Sequence, residues 1–386
     1  MGTVNTVEKA LAAALYAEGD ASLDAAASLL AADPGADAEL RRRGEELLRR
    51  AWERGWQPAD VARLVRRDLG EVHHRLLAEL VAAESAHYGP RLPHRWEAQL
   101  RDLAGEVPPP SRGDRFGRAT AVLELYRLLA RLPRIEAVAP PPGAGPRAAP
   151  APGREGTGRE PRMLTRVRAL LAKAEATGYP QEAEALTAKA QELMARHSID
   201  EAVLAQGAPA AHTPSARRIG VDAPYETAKA VLLDVVSSVN RCRAVWNGAF
   251  GFSTVVGFEG DLESVELLYT SLLVQGTRAM TAAESAQRAA GRKRTRTFRQ
   301  SFWTAYASRI GEHLAAVAGE AVPGELLPVL ATRDLAVADR TRRMFPETRT
   351  ARVRAATDAA GWRDGTSAAD RAHRAAPGRP LPGRRA

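Results

Sequence analysis

The sequence predicts a mainly α protein with a small α+β domain. Three observations carry this. Apolar residues recur at three- and four-residue steps along most of the 386 residues, while strand-like alternation is confined to the stretch from Arg241 to Phe258. A segment dense in Pro, Gly and Ala, residues 137–160, divides the chain. A length of 386 residues exceeds one typical core and predicts two or three units.

Residues 1–136 are expected to form a helical bundle. Val7, Leu11, Ala14 and Leu15 make one stripe, and Leu40, Leu47, Leu48 and Trp52 another. Val61, Leu64 and Val65 come next, then Leu76, Leu77, Leu80 and Val81, and finally Leu123, Tyr126 and Leu129. Gly19, Pro34, Gly35, Gly55, Pro58 and Pro90 punctuate them. Within the bundle, Ala51, Gly55, Trp56, Val61 and Leu64 stand at helix-turn-helix spacing, and the second helix carries Arg63, Arg66 and Arg67, which can meet nucleic acid. Arg50 and Arg54 occupy two positions that are ordinarily apolar in that motif. Glu84-x-x-His87 has the one-turn spacing of a metal ligand pair, but a bundle site needs that pair twice. Residues 137–160 cannot bury enough apolar surface to offset the entropy of ordering and are expected to be a flexible linker.

Residues 161–206 predict a helical hairpin. Met163, Leu164, Val167, Leu170, Leu171 and Ala174 form one apolar face, opposite Arg162, Arg166, Arg168 and Lys173. Thr177-Gly178-Tyr179 makes the turn, and Pro180 suits the first position of a second helix. The buried stripe of that helix reads Leu186, Ala190, Leu193, Met194 and His197. Ser198-x-x-Glu201 reads as a capping box at which the chain breaks and restarts. Two short helices and a stub bury little by themselves, so the hairpin is expected to pack on the next domain. The run Leu170-Leu171-x-Lys173-Ala174-Glu175, a turn, then Glu184-Ala185 and Lys189-Ala190-Gln191-Glu192-Leu193-Met194, resembles the domain of unknown function 2786 family. That resemblance implies no catalytic residues.

Residues 219–340 predict an α+β domain with a two- to three-stranded antiparallel sheet and long helices. A helix over 225–239 precedes strands from Arg241 to Trp246 and from Phe252 to Phe258, with Asn247-Gly248 at the turn between them. Gly260-Asp261 is read as the stop of the second strand and the cap of a long helix through Leu262, Val265, Leu268, Leu272 and Met280. Another helix runs from Phe298 through Phe302, Tyr306, Ile310 and Leu314. Val256-Gly257-x-x-x-Asp261, Leu268-Tyr269-x-x-Leu272 and Phe298-Arg299-x-Ser301-Phe302 extend the resemblance, which spans residues 162–318, and the bundle resembles extensions in actinobacterial members.

Formal charge is +9, and residues 341–386 hold eleven arginines against four acids, so this Arg-rich, partly disordered tail carries most of the excess. Such charge favours polyanions. Arg292, Lys293, Arg294, Arg296 and Arg299 crowd one inter-helix loop and can span several phosphates, and Trp362 in the tail can stack on a base. Cys242 is the one cysteine, which excludes an internal disulfide and fits a reducing, cytoplasmic setting; no apolar run is long enough to span a membrane. His-Glu-x-x-His, a glycine-rich phosphate loop and Gly-x-Ser-x-Gly are absent, so neither metal nor cofactor is expected. The leading expectation is a non-enzymatic protein that contacts DNA or RNA. The alternatives are a hydrolase-like enzyme with a site around Glu259, Asp261 and Arg299, and a protein-protein adaptor that uses the basic face of the hairpin.

Overall fold

The computed structural model describes residues 2–16, 19–89, 92–105, 114–143, 162–205, 213–291, 296–320, 324–349 and 357–371. The architecture is mainly α with one small three-stranded antiparallel sheet. The chain divides into two compact units, Met1–Pro152 and Gly153–Ala386.

The first unit consists of α1 (Gly2–Tyr16), α2 (Asp20–Ala32), α3 (Asp37–Glu53), α4 (Pro58–Asp68), α5 (Glu71–Ser85), α6 (His94–Gly105) and α7 (Arg115–Arg131). The apolar stripes of the sequence become its core, with Leu48, Trp52, Val61, Leu77, Val81, Leu123 and Leu129 all buried. Trp52 meets Trp96 edge to face at 5.3 Å, an arrangement that the aromatic quadrupole favours. Glu84 is fully buried and accepts hydrogen bonds from Trp52 Nε1 at 2.8 Å and from the Tyr88 hydroxyl. Its carboxylate therefore serves the core, while His87, 56% exposed, turns its Nδ1 toward the Glu84 carbonyl.

The second unit runs α8 (Arg162–Ala176), α9 (Pro180–Ala205), β1 (Ser215–Gly220), α10 (Glu226–Val239), β2 (Arg243–Asn247), β3 (Phe252–Gly257), α11 (Glu259–Ala289), α12 (Arg296–Glu320), α13 (Leu327–Met344) and α14 (Ala359–Arg371). Strand order is β1-β3-β2, antiparallel throughout, with Arg217 opposite Val255 and Ala244 opposite Val255 on the other side. One core joins Val167 and Leu171 of α8 and Ala190 and Met194 of α9 to Leu233, Val255, Leu268, Phe302 and Tyr306. The hairpin thus packs on the sheet and helices C-terminal to it. Polar ties lock the placement: Gln191 Nε2 donates to Asn240 Oδ1 at 3.3 Å and Gln275 Nε2 to Thr187 Oγ1 at 3.2 Å.

Several expectations need correction. Ser198-x-x-Glu201 is no capping box, because α9 continues unbroken to Ala205; Ile199 and Ala202 carry its apolar stripe onward and are buried. The β2–β3 turn is longer than Asn247-Gly248. Asn247 pairs with Phe252, and the Gly251 N–H closes the loop onto the Asn247 carbonyl at 3.0 Å. Arg241 and Cys242 precede β2 rather than lying in it, and Arg241 takes φ 58°. Asp261 is not a cap, since α11 starts two residues earlier with Phe258 at the N-cap. β1 is an addition to the expected elements: Ser215-Ala-Arg-Arg-Ile-Gly has consecutive arginines and little alternation, and it forms because β3, buried along its whole length, needs a partner on that edge.

Within the Arg-rich tail, 359–371 is helical and lies on α12. Asp358 caps α14, its Oδ1 accepting from the N–H groups of Ala360 and Gly361 at 3.0 and 2.9 Å. A Cβ on Gly361 or Gly365 would overlap the carbonyl oxygen of Phe298 or Phe302, so these two glycines set how closely the helices approach. Trp362, on the same helix, is 41% exposed.

Candidate nucleic-acid interface

The helix-turn-helix spacing in the first unit folds as a tight corner. α3 ends in a Schellman motif: the Trp56 N–H donates to the Ala51 carbonyl and the Gly55 N–H to the Trp52 carbonyl, both at 3.0 Å, with Gly55 at φ 93°. Glycine suits that left-handed position, and the Ile135 carbonyl packed against it leaves no room for a Cβ. Pro58 opens α4 at a position where no N–H is needed, and the Gln57 N–H donates to Asp60 Oδ2 at 3.0 Å. Ala51, Trp56, Val61 and Leu64 are all buried, as the motif requires. The two misfit arginines are accommodated: Arg50 faces solvent, and Arg54 Nη1 donates to the Leu132 carbonyl at 2.7 Å.

α4 buries Val61, Ala62, Leu64 and Val65, which leaves Ala59, Arg63, Arg66 and Arg67 along its outer face. Arg66 and Arg67 are exposed and Arg63 is half-buried. Arg67 also pairs with its neighbour Asp68 through Nε at 2.6 Å. Gln99 from α6 stands at the start of the helix, accepting from the Ala59 N–H at 3.1 Å and donating to Gln57 Oε1 at 3.0 Å. Three guanidiniums thus share the side of α4 that faces away from the core, while the two amides are engaged with each other and with the start of the helix.

The other basic residues read from the sequence are placed differently. Arg292, Lys293 and Arg294 lie outside the described residues. Arg296 is exposed at the start of α12. Arg299 is committed to the protein itself, with Nε and Nη2 on Glu284 Oε2 at 2.8 and 2.5 Å, and Arg288 holds the other oxygen of that carboxylate at 2.8 Å. Asp261 and Glu284 sit 23 residues apart on α11, about 35 Å at the helical rise, so Glu259, Asp261 and Arg299 are not brought together. On the hairpin, Lys173 pairs with Glu182 and Lys189 and Arg196 with Glu192. Residues 162–201 contain six basic and six acidic side chains, so the hairpin as a whole carries no excess.

A second assembly, not foreseen as a unit, occupies the end of the sheet. Asp261, in the first turn of α11, accepts from Arg333 Nη2 of α13 at 3.1 Å, and the same nitrogen lies 3.7 Å from Glu201 Oε2 of α9. The guanidinium stacks 3.9 Å above the Phe258 ring. Burial pushes the Asp261 carboxyl up to about 6, against the pull of Arg333 and Ser198 and reinforced by Glu201. Nearby Arg217, itself buried, holds Glu259 and Glu266 at 2.6 Å each. The arginines flanking Cys242 in sequence do not activate it: Arg241 pairs with Asp334 at 2.9 Å and Arg243 is exposed. Burial, with Asp261 adding to it, raises the thiol well above its ordinary value despite Arg217 and Arg333. Among the described residues no group of three or more His, Cys, Asp or Glu side chains is arranged to hold a metal ion. The sequence signal for this assembly is slight, an isolated Arg333 between apolar positions of a helix.

The family model described as a protein of unknown function (DUF2786) matches residues 162–201, which covers α8 and α9 through Glu201. His197, Ser198 and Glu201 fall at the end of that match. No curated protein and no solved structure matches the chain. No helix among the described residues is long and apolar enough to cross a membrane.

Proposed function

We propose that this chain, which carries a segment matching a family of unknown function, is a nucleic-acid-binding protein whose first unit docks α4 on duplex DNA. One observation carries the reading: a helix-turn-helix corner with its small and apolar positions buried turns Arg63, Arg66 and Arg67 outward on the second helix. A helix of that kind fits the major groove, where arginines meet phosphates or guanine edges. The overall charge of +9 supports the same partner by raising the rate of encounter. Arg296, exposed at the start of α12, adds a cation on the second unit that can meet phosphate independently of sequence.

The test is fluorescence anisotropy of labelled duplex DNA with the full chain, at several salt concentrations, for the natural sequence and for R63E/R66E/R67E. The expected result is binding that weakens with salt, and a charge-reversed variant with at least tenfold lower affinity and a log-log slope shallower by about 2.7, at roughly 0.9 for each phosphate no longer neutralised. Equal affinity for the variant would overturn the assignment to α4. A preference for single-stranded over duplex nucleic acid would overturn the groove reading.

A further inference from the structure

The helix α13 is held to the second unit in an unusual way. Its apolar contact with α9 is a small cluster of Leu330 with Ile199 and Ala202, supported by Leu326 and Val329 and separate from the main core. The polar hold is concentrated in two consecutive residues, Arg333 on Asp261 and Glu201, and Asp334 on Arg241. One guanidinium answers two carboxylates on two different elements, and its Nε and Nη1 are buried without a hydrogen-bond partner. Buried ion pairs repay their desolvation only when geometry is close to ideal and every remaining proton is satisfied. Here that condition fails, so the ion pair adds little to the dock, and the buried Leu330, Val337 and Met344 supply its apolar part.

We propose that α13 is a proton-controlled strap: it lifts from α9 and the end of the sheet, baring Asp261, Ser198 and Glu201, and a proton on Asp261 holds it down. The groups facing Asp261 are Arg333 from α13, Ser198 and Glu201 from α9 with His197 behind them at 3.8 Å from Glu201, and Cys242 ahead of β2, which Arg217 from β1 and Asp334 from α13 also face. With α13 docked, Asp261 titrates near 6; with α13 lifted and the carboxyl hydrated, it returns toward its ordinary 3.8. The docked form therefore binds the proton more tightly. Docking strengthens as pH falls through 6 and weakens above it, the reverse of an acid-released salt bridge. From pH 5 to pH 8 the lifted population rises about tenfold on these two values.

Hydrogen exchange of the full chain, read by mass spectrometry and corrected for the intrinsic pH dependence of exchange, tests this. Peptides from α13 are expected to lose about tenfold protection between pH 5 and pH 8 while α12 peptides do not change. Asp261→Asn is expected to abolish the pH dependence and keep α13 as protected at pH 8 as the natural chain is at pH 5. His197→Gln separates the neighbouring imidazole and is expected to leave the dependence intact. Flat protection of α13 in the natural chain, exchange of α13 only together with α12, or loss of the pH dependence in His197→Gln with its retention in Asp261→Asn would each overturn the proposal.

Discussion

Arginine is put to opposite uses in the two units. On α4, Arg66 and Arg67 are exposed on a helix whose other side is fully packed, so the burial of that helix does not draw on their charge. On α13, Arg333 is 7% exposed, stacked on Phe258, and answers Asp261 and Glu201. A surface cation is accessible to a partner and contributes little to stability. A buried one belongs to the fold, because removing it strands the carboxylates it faced. Arg299, read from sequence as a loop cation, falls between the two, since it is bound to Glu284 and leaves the basic loop with less charge to offer than its composition suggests.

The sharpest way to break this contrast is Arg333→Met, which keeps the stem of the side chain and deletes the charge. Asp261 then loses its counter-ion while still buried. The expected cost is about 3 kcal/mol in the docking of α13, seen as loss of protection in that helix and a lower denaturation midpoint. Adding Asp261→Asn is expected to return most of it, because the stranded charge, rather than the missing bond, is the larger penalty. A single variant as stable as the natural chain would place Arg333 with the surface arginines.

The tail sharpens the contrast in another way. Its arginines dominate its composition, yet α14 is held by the absence of side chains, at Gly361 and Gly365 against the backbone of α12. Gly365→Val is expected to cost about 2 kcal/mol through overpacking, with hydrogen exchange showing α14 released first. Arg363→Ala, on an exposed position of the same helix, is expected to leave thermal stability unchanged.

Legibility in the sequence divides along the same line. Helices with long apolar stripes and the helix-turn-helix corner are legible because each depends on neighbours within a few residues: Gly55 with Ala51 and Trp56, or Leu268 with Leu272. The Asp261 assembly is not, because its members are Ser198, Glu201, Asp261 and Arg333, drawn together from α9, α11 and α13. Local rules assign Asp261 and Ser198 to capping, the commonest local use of those residue types. Tertiary contact overrides both. β1 escapes local rules for a related reason, since its conformation is dictated by the apolar strand it pairs with rather than by its own residues.

The smallest expected effect bears most directly on function. Arg66→Ala with Arg67→Ala removes two exposed charges from a helix whose burial rests on Val61, Ala62, Leu64 and Val65, so folding stability is expected to stay within about 0.5 kcal/mol by denaturant titration. The pair Arg67–Asp68 does not alter this, because both side chains are over two-fifths exposed and such pairs are worth little. If α4 is a nucleic-acid contact, the same double variant loses up to two phosphate neutralisations, and the salt slope of DNA binding falls by about 1.8. Unchanged stability with a reduced slope is the signature of residues kept for a partner. A marked loss of stability would mean that Arg66 and Arg67 serve the fold as Arg333 does, and an unchanged slope would remove α4 from the interface.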